Sequence, residues 1–420
     1  MYIKYKKIYP TQVDRKYFGK LQVHVVCESG SRPVENAEVQ VFHKYDPNMV
    51  VVDLITDISG KTVEIDLPAP PIEYSMNPTS NQPYAEYRLI ITAPGLRTVE
   101  IDSVQLLPFV KTVQPVRMPR KDYDNNAAKI ITIGTNFLYG NYPPKVYEDE
   151  VKDNIASDKP VIIPEFIIVH DGIPTDSTAE NYKIEYREYI KSVVTSQIYA
   201  TWPQETIYAN LLARLSFSLN RVYTDWYPNQ GYDFTITSST SYDQIWFYGR
   251  NIDSNINLAV DHLFNYFLSL PDISQPILTQ ACAENLPSCT DMISLWGSKY
   301  LGDQAYQAID ILHYYYGDML YINSTDNIEG ITAWPNMELK KGTKSEDVNY
   351  IQNQLKTLAH VYNEIPLIVV DGFYGPQTEK AVSAFQKIFD LPVAGTVDAV
   401  TWHKIGQMYK RITRAFDLCK

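Results

Sequence analysis

The spacing of apolar residues changes part-way along this 420-residue chain, and that change requires more than one kind of core. From about Gly19 to Arg120, stretches such as KLQVHVV, AEVQVFH, GKTVEIDL, AEYRLIITA and RTVEIDSVQLL alternate apolar with polar residues, the period of a half-buried strand. Clusters rich in Gly and Pro, such as SGSRPVENA and ISG, separate them. This spacing predicts a small antiparallel β-sandwich over residues 1–120. From Tyr189 onward the period lengthens to three or four residues, which is helical. A chain of 420 residues fits two to four domains, each with its own core.

With 45% hydrophobic and 20% charged residues the composition is that of an ordinary globular protein. The net charge of -12 argues against nucleic acid and anionic membranes as partners, because both reward clustered Lys and Arg. No apolar run reaches the roughly 18 residues a bilayer span needs. The opening MYIKYKKIYPTQVDRKYFGK has the charge of a secretory signal without its apolar middle, so no standard signal peptide is expected. Four cysteines, Cys27, Cys282, Cys289 and Cys419, are too few for a disulfide framework and leave the compartment open. The 33 tyrosines suit half-buried positions and also sugar-lining surfaces, since each ring has an apolar face and a polar tip.

Between residues 121 and 160 periodicity is lost while charge and proline rise, as in KDYDNNAAK and NYPPKVYEDEVKDN, so a linker is expected. A protease should cut there, between about Asp149 and Glu165, leaving a stable C-terminal fragment. Residues 161–325 form the largest unit. VIIPEFIIVHDG reads as a strand, and YREYIKSVVTSQI places Tyr189, Val193 and Val194 at helical spacing. In the helix that follows, Thr201 and Gln204 are expected to form a capping box, with Pro203 in the first turn. Ile207, Leu211, Leu215, Leu219 and Val222 then define one buried stripe. Further helices are expected in NIDSNINLAVDHLFNYFLSL and YQAIDILHYYYG. Residues 335–412 hold three amphipathic segments, a compact three-helix module. The fold class is therefore multidomain α+β: an N-terminal β-sandwich, a central mixed α/β domain and a C-terminal three-helix domain.

The sandwich segments PVENAEVQVF and YRLIITAPGLRTVEI resemble carboxypeptidase-regulatory-like and prealbumin-like modules, which usually carry no chemistry of their own. In the tail, DGFYGPQTEKAVSAFQKIF resembles the peptidoglycan-binding signature D-G-x-[FY]-G-x-x-T-x-x-A-V-x-x-F-Q, with Asp371, Gly372, Gly375, Thr378, Ala381, Val382, Phe385 and Gln386 in place. Gly372 and Gly375 permit a tight turn, Thr378 can cap the next helix, and Phe385 reads as core. Ligand contact is expected from the exposed loop groups Asp371, Tyr374 and Gln377.

The stretches EYIKSVVTSQIYATWPQETIYANLLARLSFSLNRVYTDWY, GYDFTITSSTSYDQIWFYGR, CAENLPSCTDMISLWGS and ILHYYYGD resemble, in order, the SpoIID/LytB family, and more closely its spore cortex-lytic branch of the SleC type. That resemblance implies a propiece, a lytic transglycosylase-type domain and a peptidoglycan-binding tail. It also implies one carboxyl group that protonates the leaving glycosidic oxygen and then, as base, assists closure of an anhydro ring. The family places this Glu six residues before Pro203, where this chain has Gln197. An amide cannot supply the proton. Glu205, two helical turns on, is a weak substitute, because catalytic distances tolerate little displacement. Gln197 is either an engineered inactivation or natural drift. Tyr208 and Leu295, which also depart from the family pattern, favour drift.

By the same resemblance Ser239, Thr240, Tyr242, Asp243, Gln244 and Trp296 lie near the cleft and hold sugar. For the loop residues Ser239, Thr240, Asp243 and Gln244, loop capping is an equal alternative. Cys282 and Cys289 form either a local disulfide or two free thiols, and the spacing gives a zinc site little support. His170, His262 and His313 read as packed or surface residues, and neither metal nor cofactor is expected. The expected function is binding and lytic cleavage of spore cortex peptidoglycan, impaired by Gln197, in sporulation and germination. The alternatives are an inactive scaffold or regulator of another lytic enzyme, or an amidase enhancer. The expected partners are peptidoglycan glycan strands, with an activating protease or a second lytic enzyme. The expected location is the spore cortex or the bacterial envelope.

Overall fold

The computed structural model describes residues 16–28, 32–80, 82–121, 127–136, 138, 160–273, 275–282 and 291–418. The alternating segments fold into β1 (Phe18–Cys27), β2 (Glu38–His43), β3 (Asp46–Ile55), β4 (Ile65–Pro68), β5 (Ala85–Thr92), β6 (Val99–Leu106), β7 (Lys111–Met118) and β8 (Lys129–Thr132). One sheet has the order β3-β2-β5-β6-β8, and the other contains β7-β1-β4. Leu21, Val23 and Val25 of β1 share a core with Val39, Val41, Leu89 and Ile101 of the opposite sheet.

The sandwich is not purely antiparallel: β1 pairs with β7, and β6 with β8, in parallel. Strands reached by a crossover rather than a hairpin are free to pair this way. β3 and β7 had no clear sequence signature, because β3 opens with the turn-forming Asp-Pro-Asn and β7 contains Pro115. The expected linker also begins later than its composition suggests. β8 lies inside it, and Ile131 and Ile133 are buried in the sandwich core. Residues 139–159, with most of the expected cleavage window, lie outside the described residues. At the end of that window Val161 and Ile163 are already packed in the middle core.

The middle unit opens with β9 (Phe166–His170) and β10 (Asn181–Glu185), then α1 (Tyr186–Gln197) and α2 (Gln204–Tyr223). β11 (Ile236–Thr237), β12 (Ile252–Asp253), α3 (Ser254–Leu263), β13 (Tyr266–Ser269), β14 (Gln280–Cys282) and β15 (Met292–Ser294) follow, and α4 (Leu295–Asp303), α5 (Ala308–Tyr316) and β16 (Tyr321–Ser324) complete it. The long helix expected through residue 270 stops at Leu263, because Tyr266–Ser269 pairs with β16 instead.

α2 is buried on all sides rather than along one stripe. Ile207, Leu211, Leu215 and Leu219 join the larger core, while Ala209, Leu212 and Ala213 pack with Ile293, Ile311 and Leu312. A third face carries Asn210, Arg214, Ser218 and Arg221, spaced four, four and three residues apart and all buried. The capping box does not form. Pro203 takes the cap position and disfavours helix in the residue before it, so Thr201 stays outside and its hydroxyl meets Ser75 of the sandwich at 2.8 Å. The Gln204 amide donates to the Tyr208 hydroxyl.

The tail folds as α6 (Glu346–Leu358), α7 (Pro376–Ile388) and α8 (Ala399–Leu418) around Val348, Ile351, Leu355, Val382, Phe385 and Trp402. It contacts both other parts. Arg411 pairs with Glu185 at 2.6 Å and Lys410 with Glu165 at 2.7 Å, while Lys111 and Lys61 of the sandwich reach Asp390 at 3.2 and 3.3 Å. Burial works against the Glu185 charge, yet Arg411 holds that carboxyl down at about 2. Among the described residues no helix is long and apolar enough to cross a membrane.

Candidate functional site

The end of α1, which carries Gln197, is fixed partly from outside the middle unit. The Thr195 carbonyl accepts hydrogen bonds from Asn136 Nδ2 at 3.0 Å and Arg250 Nη2 at 3.2 Å. Arg250 also donates to Gln105 Oε1 at 2.6 Å, to the Gly134 carbonyl at 3.1 Å and to Asn136 Oδ1. Beside it, Asn251 takes the place of a neighbouring strand: its Oδ1 accepts the Gln105 N–H at 3.2 Å, and its Nδ2 donates to the Gln105 carbonyl at 2.9 Å. β12 then extends the sandwich sheet by pairing Ile252 and Asp253 with Val113 and Thr112 of β7. Burial lowers the Arg250 guanidinium to about 10. Neutral acceptors from the sandwich, residues 134–136 and α1 surround that cation, so strand edge and helix end are positioned together.

Gln197 is 5% exposed and lines a cavity of about 30 Å³ with Arg214, Thr240, Gln244, Thr279 and Cys282. Its side-chain oxygen accepts a hydrogen bond from Arg214 Nε. Arg214 is 1% exposed, and among the described residues its Nη1 and Nη2 have no hydrogen-bond partner. Burial lowers this guanidinium to about 10, which leaves it charged at neutral pH. Gln244 bridges two elements, donating to the Arg214 carbonyl at 3.3 Å and accepting from the Tyr189 hydroxyl at 3.3 Å.

Asp243, expected either to hold sugar or to cap its loop, is fully engaged inside the protein. It accepts from Arg221 Nε at 2.8 Å, the Tyr227 hydroxyl at 2.5 Å, the Thr237 N–H at 2.9 Å and the Thr237 hydroxyl at 2.7 Å. A carboxylate with four donors pins β11 to α2 and has little left for a ligand. The Ser239 carbonyl accepts the N–H groups of Tyr242 and Asp243 at 3.2 and 2.7 Å, forming the turn that delivers Asp243. Thr240 alone of Ser239, Thr240 and Tyr242 borders the cavity. Trp296 is half-buried, 4.9 Å from the Trp202 ring and 6.3 Å from that of Tyr199, and lies outside the cavity lining. Glu205 is also absent from that lining. Its carboxylate accepts the Ala308 N–H at 2.9 Å at the start of α5, where negative charge is favoured.

Cys282 is disulfide-bonded, while Cys289 lies outside the described residues. Among the described residues no group of three or more His, Cys, Asp and Glu could hold a metal ion. His170, His262 and His313 each contact a backbone carbonyl within their own segment. A separate cavity of about 310 Å³ lies where the three parts of the chain meet, with Lys61, Arg117, Glu188, Trp246, Tyr248 and Arg411 in its wall.

In the tail the expected ligand groups divide. Tyr374 is fully buried and its hydroxyl donates to the Gly395 carbonyl at 2.7 Å, so it is core rather than contact. Gly372, at φ 70°, turns the chain so that ring 374 points inward while Phe373 stays 45% exposed. Asp371 is exposed, but it accepts the Phe373 N–H at 2.9 Å and Gln352 Nε2 at 3.0 Å, which ties it into the turn. Gln377 is exposed. Thr378 accepts from Gln352 at 3.0 Å rather than capping α7, whose cap position is Gly375. Sequence reasoning passed over Phe373, and also Arg214, Arg221 and Arg250. Two arginines seven residues apart inside an apolar helix were the signal for the first pair.

Residues 344–405 match the family model described as "Putative peptidoglycan binding domain". The tail is similar to a peptidoglycan-binding domain. Among solved structures, the SleB N-terminal domain is 34% identical over 18% of this chain and 99% of that chain, with a TM-score of 0.16. The L69A mutant of catechol 1,2-dioxygenase from Acinetobacter radioresistens is 13% identical over 27% of this chain and 55% of that chain, with a TM-score of 0.18. 3-Chlorocatechol 1,2-dioxygenase from Rhodococcus opacus 1CP is 11% identical over 25% and 61%, with a TM-score of 0.17. The chain thus spans less than two thirds of either dioxygenase, and overlaps this slight do not define its fold. No curated protein matches.

Proposed function

We propose that the chain binds peptidoglycan of the spore cortex or envelope through its tail, and that its middle unit is of the lytic transglycosylase type with the proton donor replaced. The carrying observation is the peptidoglycan-binding match at residues 344–405. The chemistry at position 197 supports the rest. General acid-base assistance is worth roughly 100- to 10,000-fold, and an amide oxygen held by Arg214 has no proton to give. The cavity of about 30 Å³ also falls far below the roughly 300–1,000 Å³ of ordinary ligand pockets. Both points favour holding glycan over cutting it. A chain of this kind suits a scaffold that keeps a second lytic enzyme at the polymer, where tethering raises its effective concentration.

The test is co-sedimentation of the full chain with purified cortex peptidoglycan, followed by mass spectrometry of the released muropeptides. Retention without new anhydromuramyl ends is expected. Anhydromuramyl ends from the native chain would contradict the loss of the proton donor, and absence of retention would contradict the binding role.

A further inference from the structure

We infer that the cavity between Gln197 and Arg214 is a binding site for one small carboxylate. Among the described residues, the charges around it sum to one unmatched positive. Arg221 and Asp243 neutralise each other at 2.8 Å, Asp243 is saturated by Tyr227 and Thr237, and Arg214 meets only the neutral side chain of Gln197. Tyr316 and Tyr189, whose hydroxyls act on Arg214, are both held in their neutral forms by burial. A buried cation with no counter-charge is costly, and the cost is met by an anion or by a proton leaving.

The unpartnered Nη1 and Nη2 form a two-pronged donor, the arrangement that accepts both oxygens of a carboxylate. The cavity, about 30 Å³, has room for a group of a few atoms and not for a sugar ring. A Glu side chain at position 197 would supply the same charge from within the protein. The native amide leaves the charge to come from outside. This inference goes beyond the glycan reading and does not depend on it, since it rests on charge and space alone.

Thermal unfolding of the full chain in sodium formate, against a morpholinoethanesulfonate salt of equal ionic strength whose anion is too large to enter, tests it directly. Saturating formate should raise the midpoint by about 2 °C or more. Gln197→Glu should raise the midpoint without formate and abolish the formate response. Arg214→Met should also abolish the response, and if that variant does not fold, Gln197→Glu carries the test alone. A second arm replaces formate with N-acetylmuramyl-tripeptide. A midpoint rise there too assigns the carboxylate to the end of a peptide, whereas a rise with formate alone assigns a free small ion. Equal midpoints of the native chain in both salts, or a formate response that persists in Gln197→Glu, would overturn the inference.

Discussion

Gln197 and Glu differ by one group, and in this setting that group decides both charge balance and chemistry. Because Arg214 already donates to the position, a Glu there would be held ionised by the adjacent guanidinium, which opposes proton donation. Any glycan cleavage gained by Gln197→Glu should therefore rise as pH falls, as a pH series of muropeptide release would show. A flat or alkaline-favoured profile would mean that Arg214 does not act on the carboxyl. Asp243 is the contrasting case. Asp243→Ala removes the carboxylate that balances the buried Arg221 charge and should destabilise the protein by about 3–5 kcal/mol in denaturant unfolding. Both positions stood out in the sequence, but their environments did not. Arg214 and Arg221 were hidden because counting apolar residues along α2 records a stripe and passes over the polar face beside it.

At the scale of elements, the tail shows how a signature motif mixes framework with surface. Most of its fixed positions build the turn: Gln352 alone bonds the Asp371 and Gly372 N–H groups, the Phe373 carbonyl and Thr378. Tyr374→Ala should therefore cost about 3–5 kcal/mol and unfold the module. Phe373→Ala combined with Gln377→Ala should leave the unfolding midpoint in place and weaken sedimentation with peptidoglycan several-fold. Unchanged sedimentation would place the contact surface elsewhere. The three tail helices were legible because each has an amphipathic period. The inward turn of Tyr374 was not, because it depends on the positive φ of Gly372, a backbone property that residue type permits but does not dictate.

Across the whole molecule, the sandwich is a structural partner of the site. Gln105, Gly134 and Asn136 hold Arg250 and, through the Thr195 carbonyl, the end of α1. Composition suggested a detachable module, because contacts made by a two-residue strand and by side-chain amides leave no periodic trace. A protease cut within residues 139–159 should consequently yield two fragments that still co-elute on size exclusion in native buffer. Separation of the fragments would contradict the shared sheet. Residues 161–420 produced alone would keep the Thr195 carbonyl but lack Gln105, Gly134 and Asn136 as acceptors of Arg250, and should be poorly folded.

The same interface carries a pH dependence. Burial raises Asp253 from 3.8 to about 6, against the hydrogen bond from Thr112. Its protonated form favours folding, so the contribution is complete below 3.8 and is lost as pH rises through about 6. The loss amounts to about 3 kcal/mol, and Asp253→Asn should remove it from urea unfolding compared across that range. A slope unchanged in the variant would assign the titration to another group.

The most direct test of the account is muropeptide mass spectrometry on cortex peptidoglycan incubated with the full-length chain, with the sedimented protein quantified in the same tube. The expected result is protein bound to the polymer and no anhydromuramyl ends above the untreated control. Anhydromuramyl ends accumulating with the native chain would show that a proton donor survives without a carboxyl group at position 197, and would contradict it.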